Sequence, residues 1–339
     1  MGSARGRALS RWGRADGVFS RGEQGLTDRV QLEGDGGHSH AHGVSGNADR
    51  RYLWGALIAL TAFMLGEVVV AFVTGSLALL SDAGHMLSDV ASIAVALWAM
   101  TLAARPAQGR WTYGFKRAEI LAALANGVTL LVLGLVLAVE AIRRLITPPQ
   151  VHAPPVIIVA LVGIVVNFVA TWLLAKANRT SLNIRGAYQH ILTDLFGFIG
   201  TLLAGLVILF TGWTRADALA SLVVVTLMVR AGWPLVRESG TILLEAAPPD
   251  INLDEVRTHL LDLDHVVAVH DLHVWTLTNG MPAVSAHIVT RDDCFIEGDT
   301  PELLDELQEC LRTHFDIEHS TFQLEPAAHA QHEPGMHQH

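Results

Sequence analysis

The sequence is short of charge. Asp, Glu, Lys and Arg make up 17% of its 339 residues, against ~25% in an ordinary soluble domain, and the mean hydropathy is +0.37. That shortfall points to membrane segments before any motif is read. Cysteine is scarcer still: Cys294 and Cys310 are the only two. Their spacing is not that of a zinc ribbon, so neither a disulfide framework nor a cysteine-rich metal site is expected. The stretch up to about residue 48 has no apolar core, which speaks against a cleaved signal peptide. His-Glu-x-x-His is absent, and with it the usual sequence sign of a zinc hydrolase. The net charge is -10, with much of the acid after Glu238, so nothing suggests a nucleic-acid partner.

What the chain does have is apolar length. Six apolar runs lie at about 53–73, 77–103, 117–146, 154–177, 184–211 and 216–238. A helix needs ~20 apolar residues to cross a bilayer, and each run is long enough. Only Thr74-Gly75-Ser76 separates the first two, which makes a tight helical hairpin. Pro148, Pro149, Pro154 and Pro155 divide the third from the fourth, because prolines so dense cannot continue a helix. Residues 51–244 are therefore expected to form a six-helix transmembrane domain. Residues 1–50 are expected to be a disordered tail, rich in Gly and Arg.

Loop charge gives orientation. One side holds Arg50, Arg51, Arg105, Arg110, Lys116, Arg117, Lys176, Arg179, Arg185 and Arg237; the other holds Arg143, Arg144 and Arg215. The richer side is expected to be cytoplasmic, with both termini inside the cell.

After Glu245 the pattern becomes that of a small soluble domain over 245–326. Helical periodicity covers 253–263 and a strand covers 265–277. Asn279-Gly280 is a strong hairpin signal, with a returning strand over 282–289. Thr300 as cap and Pro301 at the first position open a helix over 301–315, and 321–324 closes as a third strand. The order α-β-β-α-β predicts an α+β fold.

Charged and imidazole groups inside the apolar runs need a reason, since one charge at the bilayer centre costs ~2.5–3.5 kcal/mol on insertion scales. The second run carries His85 and Asp89, the fifth His190 and Asp194. Residues four apart share one helix face, ~6 Å apart along the axis. Two such helices offer two nitrogens and two oxygens, the donor set of tetrahedral zinc. A lone membrane histidine is as often a helix–helix hydrogen bond; two His-x-x-x-Asp pairs are hard to obtain by chance. Without metal the four groups would take up protons, so metal and protons compete. Asp82 lies on roughly the face of His85 and suits an access path or a tuning role. Glu67, Asn126, Glu140 and Asn167 are expected to bond between helices, and Asp217 to sit at an interface or cap.

The stretches His85-Met86-Leu87-Ser88-Asp89 and His190-Ile191-Leu192-Thr193-Asp194 resemble the cation diffusion facilitator family. So do 75–83, Tyr113-Gly114-Phe115-Lys116-Arg117-Ala118-Glu119 and His270-Asp271-Leu272-His273-Val274-Trp275. The resemblance runs from about Tyr52 to Glu325. It implies a homodimer of six-helix protomers in the inner membrane, with cytoplasmic C-terminal domains and proton-coupled export of Zn²⁺, sometimes Cd²⁺ or Co²⁺. Zinc enters as substrate and possible regulator, not as cofactor. Zinc-type members carry this His-Asp pairing, in line with the preference of imidazole for zinc. The loop 108–115 lacks histidine and acid, so the second site that some members carry there is expected to be absent. The family also implies a regulatory zinc site at His270, His287, His319 and Glu325, with Asp316 and Glu318 as alternatives to His319. Surface-exposed strand histidines are the competing reading, and His273 beside Trp275 suits packing.

Two histidine-rich stretches remain: His38, His40 and His42, and the tail over 327–339. They suit either weak metal capture or a neutral tail. Two rival classes are a membrane zinc metalloenzyme and a non-transporting metal sensor. A catalytic zinc keeps an open position for water, which four protein ligands would close, and no signalling domain is visible.

Overall fold

The computed structural model describes residues 46–74, 77–148, 153–177 and 181–330. The N-terminal tail with His38, His40 and His42, and the end of the histidine-rich tail, lie outside these residues, as do the side chains of 77–85. Six long helices come first: α1 (Gly46–Thr74), α2 (Leu77–Ala103), α3 (Ala118–Ile146), α4 (Ala153–Ala175), α5 (Leu182–Thr211) and α6 (Arg215–Leu243). Each exceeds the ~30 Å that a bilayer core requires at 1.5 Å per residue. Their outer faces are built for lipid. Leu65, Phe72, Trp98, Leu135, Val165 and Phe210 are exposed, while Asp89, Asn126, Asn167, Asn183 and His190 are buried. This polarity is inverted relative to a water-soluble bundle.

Where helices touch, small residues set the distance. α3 packs along α6, α4 along α5, and α1 along α2 and α4. On α3 and α6 the backbones meet at Gly127 and Gly232. A Cβ on Gly232 would stand 2.9 Å from the Gly127 carbonyl oxygen, and one on Gly127 3.0 Å from the Leu235 Cβ. Polar ties fasten the ends. Arg144 on α3 donates to Asp217 on α6 at 3.1 Å, and Arg185 on α5 pairs with Glu238 on α6. The buried Asn183 amide on α5 donates to the Ala96 carbonyl on α2 at 2.9 Å.

The C-terminal domain follows: α7 (Leu253–Leu261), β1 (Val266–Thr278), β2 (Met281–Thr290), α8 (Asp292–Glu297), α9 (Thr300–Phe315), β3 (His319–Pro326) and the single turn α10 (Ala327–Ala330). Gly280 takes φ 68° in the β1–β2 hairpin, the left-handed conformation that such turns demand. β1 pairs antiparallel with β2, and β2 pairs parallel with β3. Val256 and Leu260 of α7 and Leu303, Leu307 and Leu311 of α9 bury their apolar faces in one core with Val284, Ala286 and Ile288. The expected α+β fold is present.

Several expectations shift in detail. α6 continues five residues past 238, and β3 covers 319–326 rather than 321–324. α8 was not anticipated. α9 is preceded by Asp299 as its N-cap, with Thr300 and Pro301 inside the first turn. Two contacts join the domain to the membrane part. The Thr278 hydroxyl donates to the Lys116 carbonyl at 3.3 Å, and Arg117 pairs with Glu245 at 2.8 Å.

Candidate metal centre

α2 and α5 lie side by side, and their facing sides carry Asp89, His190 and Asp194 of the expected membrane donors. His190 is 1% exposed and Asp89 6%. The His190 Nε2 lies 2.9 Å from the Asp89 Oδ1 and 3.7 Å from the Asp194 Oδ2. Among the described residues, the His190 Nδ1 and Asp194 Oδ2 atoms make no hydrogen bond. One imidazole thus stands between two carboxylates, with donor atoms within 4.8 Å of one another. His85 falls one helical turn before Asp89 on α2, but its side chain is outside the described ones, as is that of Asp82.

A cavity of about 450 Å³ opens from this cluster and reaches Glu140 and Arg144 on α3. These lie in the half of α3 remote from Lys116, so the cavity runs toward the membrane end opposite the C-terminal domain. On the near side, Ile93, Ala96, Leu97, Ile184, Ala187 and Ile191 pack into a buried apolar plug. The cluster is therefore reached from one end of the bundle and sealed from the other.

The other polar residues of the spans divide. Asn167 donates to the Gly163 carbonyl of its own helix at 3.0 Å, and Glu140 accepts from Arg144 of its own helix at 3.0 Å. Among the described residues, the bonds these two make run within one helix and not between two. Asp217 is not the cap of α6, which is Thr214; it sits in the first turn at that end of the helix and holds Arg144 across the α3–α6 contact. Glu67 and Asn126 are buried. Asn183, which the sequence reading passed over, makes the α2–α5 bond that it expected elsewhere.

A second cluster lies on the sheet. His270 and His287 are directly opposed on β1 and β2, with ring centroids 5.0 Å apart. Glu325 on β3 is 1% exposed. Its carboxylate lies 2.8 Å from the His287 Nδ1 and 3.4 Å from the His270 Nε2, and it accepts from the Gln323 amide at 2.7 Å. His319 does not join this group within the chain. The parallel register places His319 opposite Ala283, four positions along β2 from His287, and it is exposed. Asp316, the C-cap of α9 at φ 54°, and Glu318 are also outside the group. A register irregularity with Asp271 at φ 49° breaks the alternation between His270 and His273. His273 is consequently not packed: its side chain is 58% exposed. A third group, His259, Cys310 and His314, was missed altogether. Its signal was a Cys-x-x-x-His spacing on α9.

Six lipid-facing spans around a buried imidazole and two carboxylates define an integral membrane protein with a donor cluster of the kind that takes a divalent cation. Comparison with known proteins makes this specific. Residues 53–244 match the cation efflux transmembrane domain, and residues 248–327 match the cation efflux protein cytoplasmic domain. A "Cadmium, cobalt and zinc/H(+)-K(+) antiporter" of Bacillus subtilis is 39% identical over 86% of this chain and 93% of its own. The "Metal cation efflux system protein CzcD" of Cupriavidus metallidurans is 37% identical over 89% and 93%. The "Zinc transporter ZitB" of Escherichia coli is 38% identical over 85% and 92%. The chain belongs to the cation diffusion facilitator family. It is a multi-pass membrane transporter for metal cation efflux and not an enzyme.

Proposed function

We propose that the chain exports Zn²⁺ from the cytoplasm in exchange for protons, through a tetrahedral site made by His85, Asp89, His190 and Asp194. The observation that carries this reading is the 2.9 Å contact between the His190 Nε2 and the Asp89 Oδ1. A hydrogen bond at that distance contains one proton, whichever partner owns it. A neutral imidazole can shift its own proton to Nδ1 when Nε2 takes a metal, but any further proton held on the ring or on a carboxylate of the cluster must leave as the cation enters. Zinc is favoured over manganese by the imidazole content of the site, and the names of the Bacillus and Escherichia relatives point the same way. Cd²⁺ and Co²⁺ are the alternative cargoes.

The cavity leading away from the C-terminal domain supports an outward-open state, in which protons from outside displace the ion. Closing that cavity and parting the plug of Ile93, Leu97 and Ile191 would open the site inward. The arginine-rich loops support cytoplasmic termini in the inner membrane, and the dimerisation-type match of 248–327 supports a homodimer. His270, His287 and Glu325 would then form a cytoplasmic site for regulatory zinc. Their donor set of two imidazoles and a buried carboxylate fits the ion.

The test is flux in proteoliposomes with a pH-sensitive dye inside, across Zn²⁺, Cd²⁺, Co²⁺ and Mn²⁺, with and without K⁺. Zinc uptake accompanied by proton release from the vesicle is the expected result. Flux that persists undiminished in both Asp89→Ala and Asp194→Ala sinks the site. Flux without any proton movement sinks the coupling.

A further inference from the structure

We propose that His259, Cys310 and His314 form a separate metal site in the helical layer of the C-terminal domain, for a thiophilic divalent ion, Zn²⁺ or Cd²⁺. Cys310 and His314 are four apart on α9 and so share one face. α7 brings His259 alongside, with the two imidazole centroids 4.6 Å apart. The three donor atoms lie within 4.8 Å of one another. A tetrahedral zinc with one sulfur and two nitrogen ligands has edges of ~3.3–3.6 Å between them, set by its bond lengths. Closure therefore asks each side chain to move by about an ångström or less.

The local hydrogen bonding prepares the ligand atoms. The His314 Nδ1 lies 3.0 Å from the Cys310 carbonyl. A carbonyl only accepts, so Nδ1 carries the proton and Nε2 keeps its lone pair. A backbone carbonyl on the far nitrogen of a ligating histidine is the usual outer support of a zinc site. His314 is exposed and Cys310 nearly buried. An ion would thus enter from solvent, displace the thiol proton and keep a water in its fourth position. One thiolate with two imidazoles favours Zn²⁺ and Cd²⁺ over the hard cations Mg²⁺ and Mn²⁺. This donor set contains sulfur, which neither the membrane cluster nor the His270, His287 and Glu325 cluster has. Loading would cross-link α7 to α9, elements otherwise joined by apolar packing. The competing account is packing alone, because His259 also meets the Phe315 ring edge-on at 5.2 Å.

Co²⁺ titration of the metal-free full-length protein in detergent separates the two. Cobalt bound by a thiolate shows an intense near-ultraviolet charge-transfer band that nitrogen and oxygen ligands do not give. The wild-type chain and Cys294→Ser are expected to show the band, at one equivalent per chain, and excess Zn²⁺ or Cd²⁺ to abolish it. Cys310→Ser should remove it, and His259→Ala and His314→Ala should remove or strongly shift it. If Cys310→Ser fails to fold, His314→Ala at its exposed position decides the matter. No band in the wild type, a band that survives in Cys310→Ser, or a band indifferent to both histidine variants overturns the proposal.

Discussion

Replacing Asp89 with asparagine alters one atom's chemistry and almost nothing of shape. In the wild type the Asp89 Oδ1 faces the His190 Nε2 at 2.9 Å, both groups being nearly fully buried. Zinc must break this contact, and any proton the cluster holds beyond the neutral imidazole's own must leave. Binding therefore weakens as pH falls, by tenfold for each proton displaced per pH unit, about 1.4 kcal/mol. Asp89→Asn removes one carboxylate that holds such a proton in the cluster, so the slope of log Kd against pH drops by up to one. Affinity falls as well. Loss of a group that merely supports a ligand costs 10–100-fold, so loss of an anionic ligand should cost at least ~100-fold, about 2.7 kcal/mol. Isothermal titration with Zn²⁺ at several pH values, in buffers of different ionisation enthalpy, reads both affinity and proton release. An unchanged slope in Asp89→Asn would refute the shared-proton reasoning, even if affinity fell as expected.

Three further outcomes are expected. Gly232→Ala should cost roughly 1–3 kcal/mol of stability, the range for overpacking, because its Cβ would meet the Gly127 carbonyl at 2.9 Å and the Leu130 Cβ at 3.2 Å; a melting temperature in detergent equal to wild type would contradict the close α3–α6 approach. Glu325→Gln should remove zinc binding at the sheet cluster while leaving the membrane site loaded, so total zinc per chain falls by one; unchanged stoichiometry would rule out Glu325 as a ligand. Burial pushes the Cys294 thiol up, with Asp299 and Asp293 adding to the effect. Iodoacetamide should therefore modify it slowly at neutral pH and rapidly after denaturation. A thiol that holds its proton more tightly when folded stabilises the fold below its unfolded range and loses that contribution as pH climbs through its folded one. A native alkylation rate equal to the denatured rate would count against this.

The spans were legible because lipid leaves so little choice: only a long apolar helix satisfies its own backbone there. The Asp89, His190 and Asp194 cluster was legible for the same reason, since an ionisable side chain in such a helix stands out against its neighbours. In the C-terminal domain, Asn279-Gly280 announced the hairpin through its turn chemistry. What escaped depends on register or on distant partners. His319 came from the family resemblance and not from any local pattern; the parallel pairing sets Ala283 opposite it. α8 spans six residues, too few to show a period. The Asn183 bond to Ala96 joins positions 87 apart. Cys310 was judged against Cys294, the other thiol, when its partners were imidazoles.

The contact of Gly127 with Gly232 bears on how the bundle moves. Where two backbones touch, no side chain lies between them to change rotamer, so at this crossing α3 and α6 have no soft layer in which to absorb a local push. A push on one passes directly to the other. The described metal donors sit on α2 and α5, outside this pair, and the cavity wall sits on it. Rearrangement around the ion would then fall to the pair swinging as one beam, a collective motion on the microsecond-to-millisecond scale. The pace of export would be set by that beam rather than by the exchange of ligands at the ion.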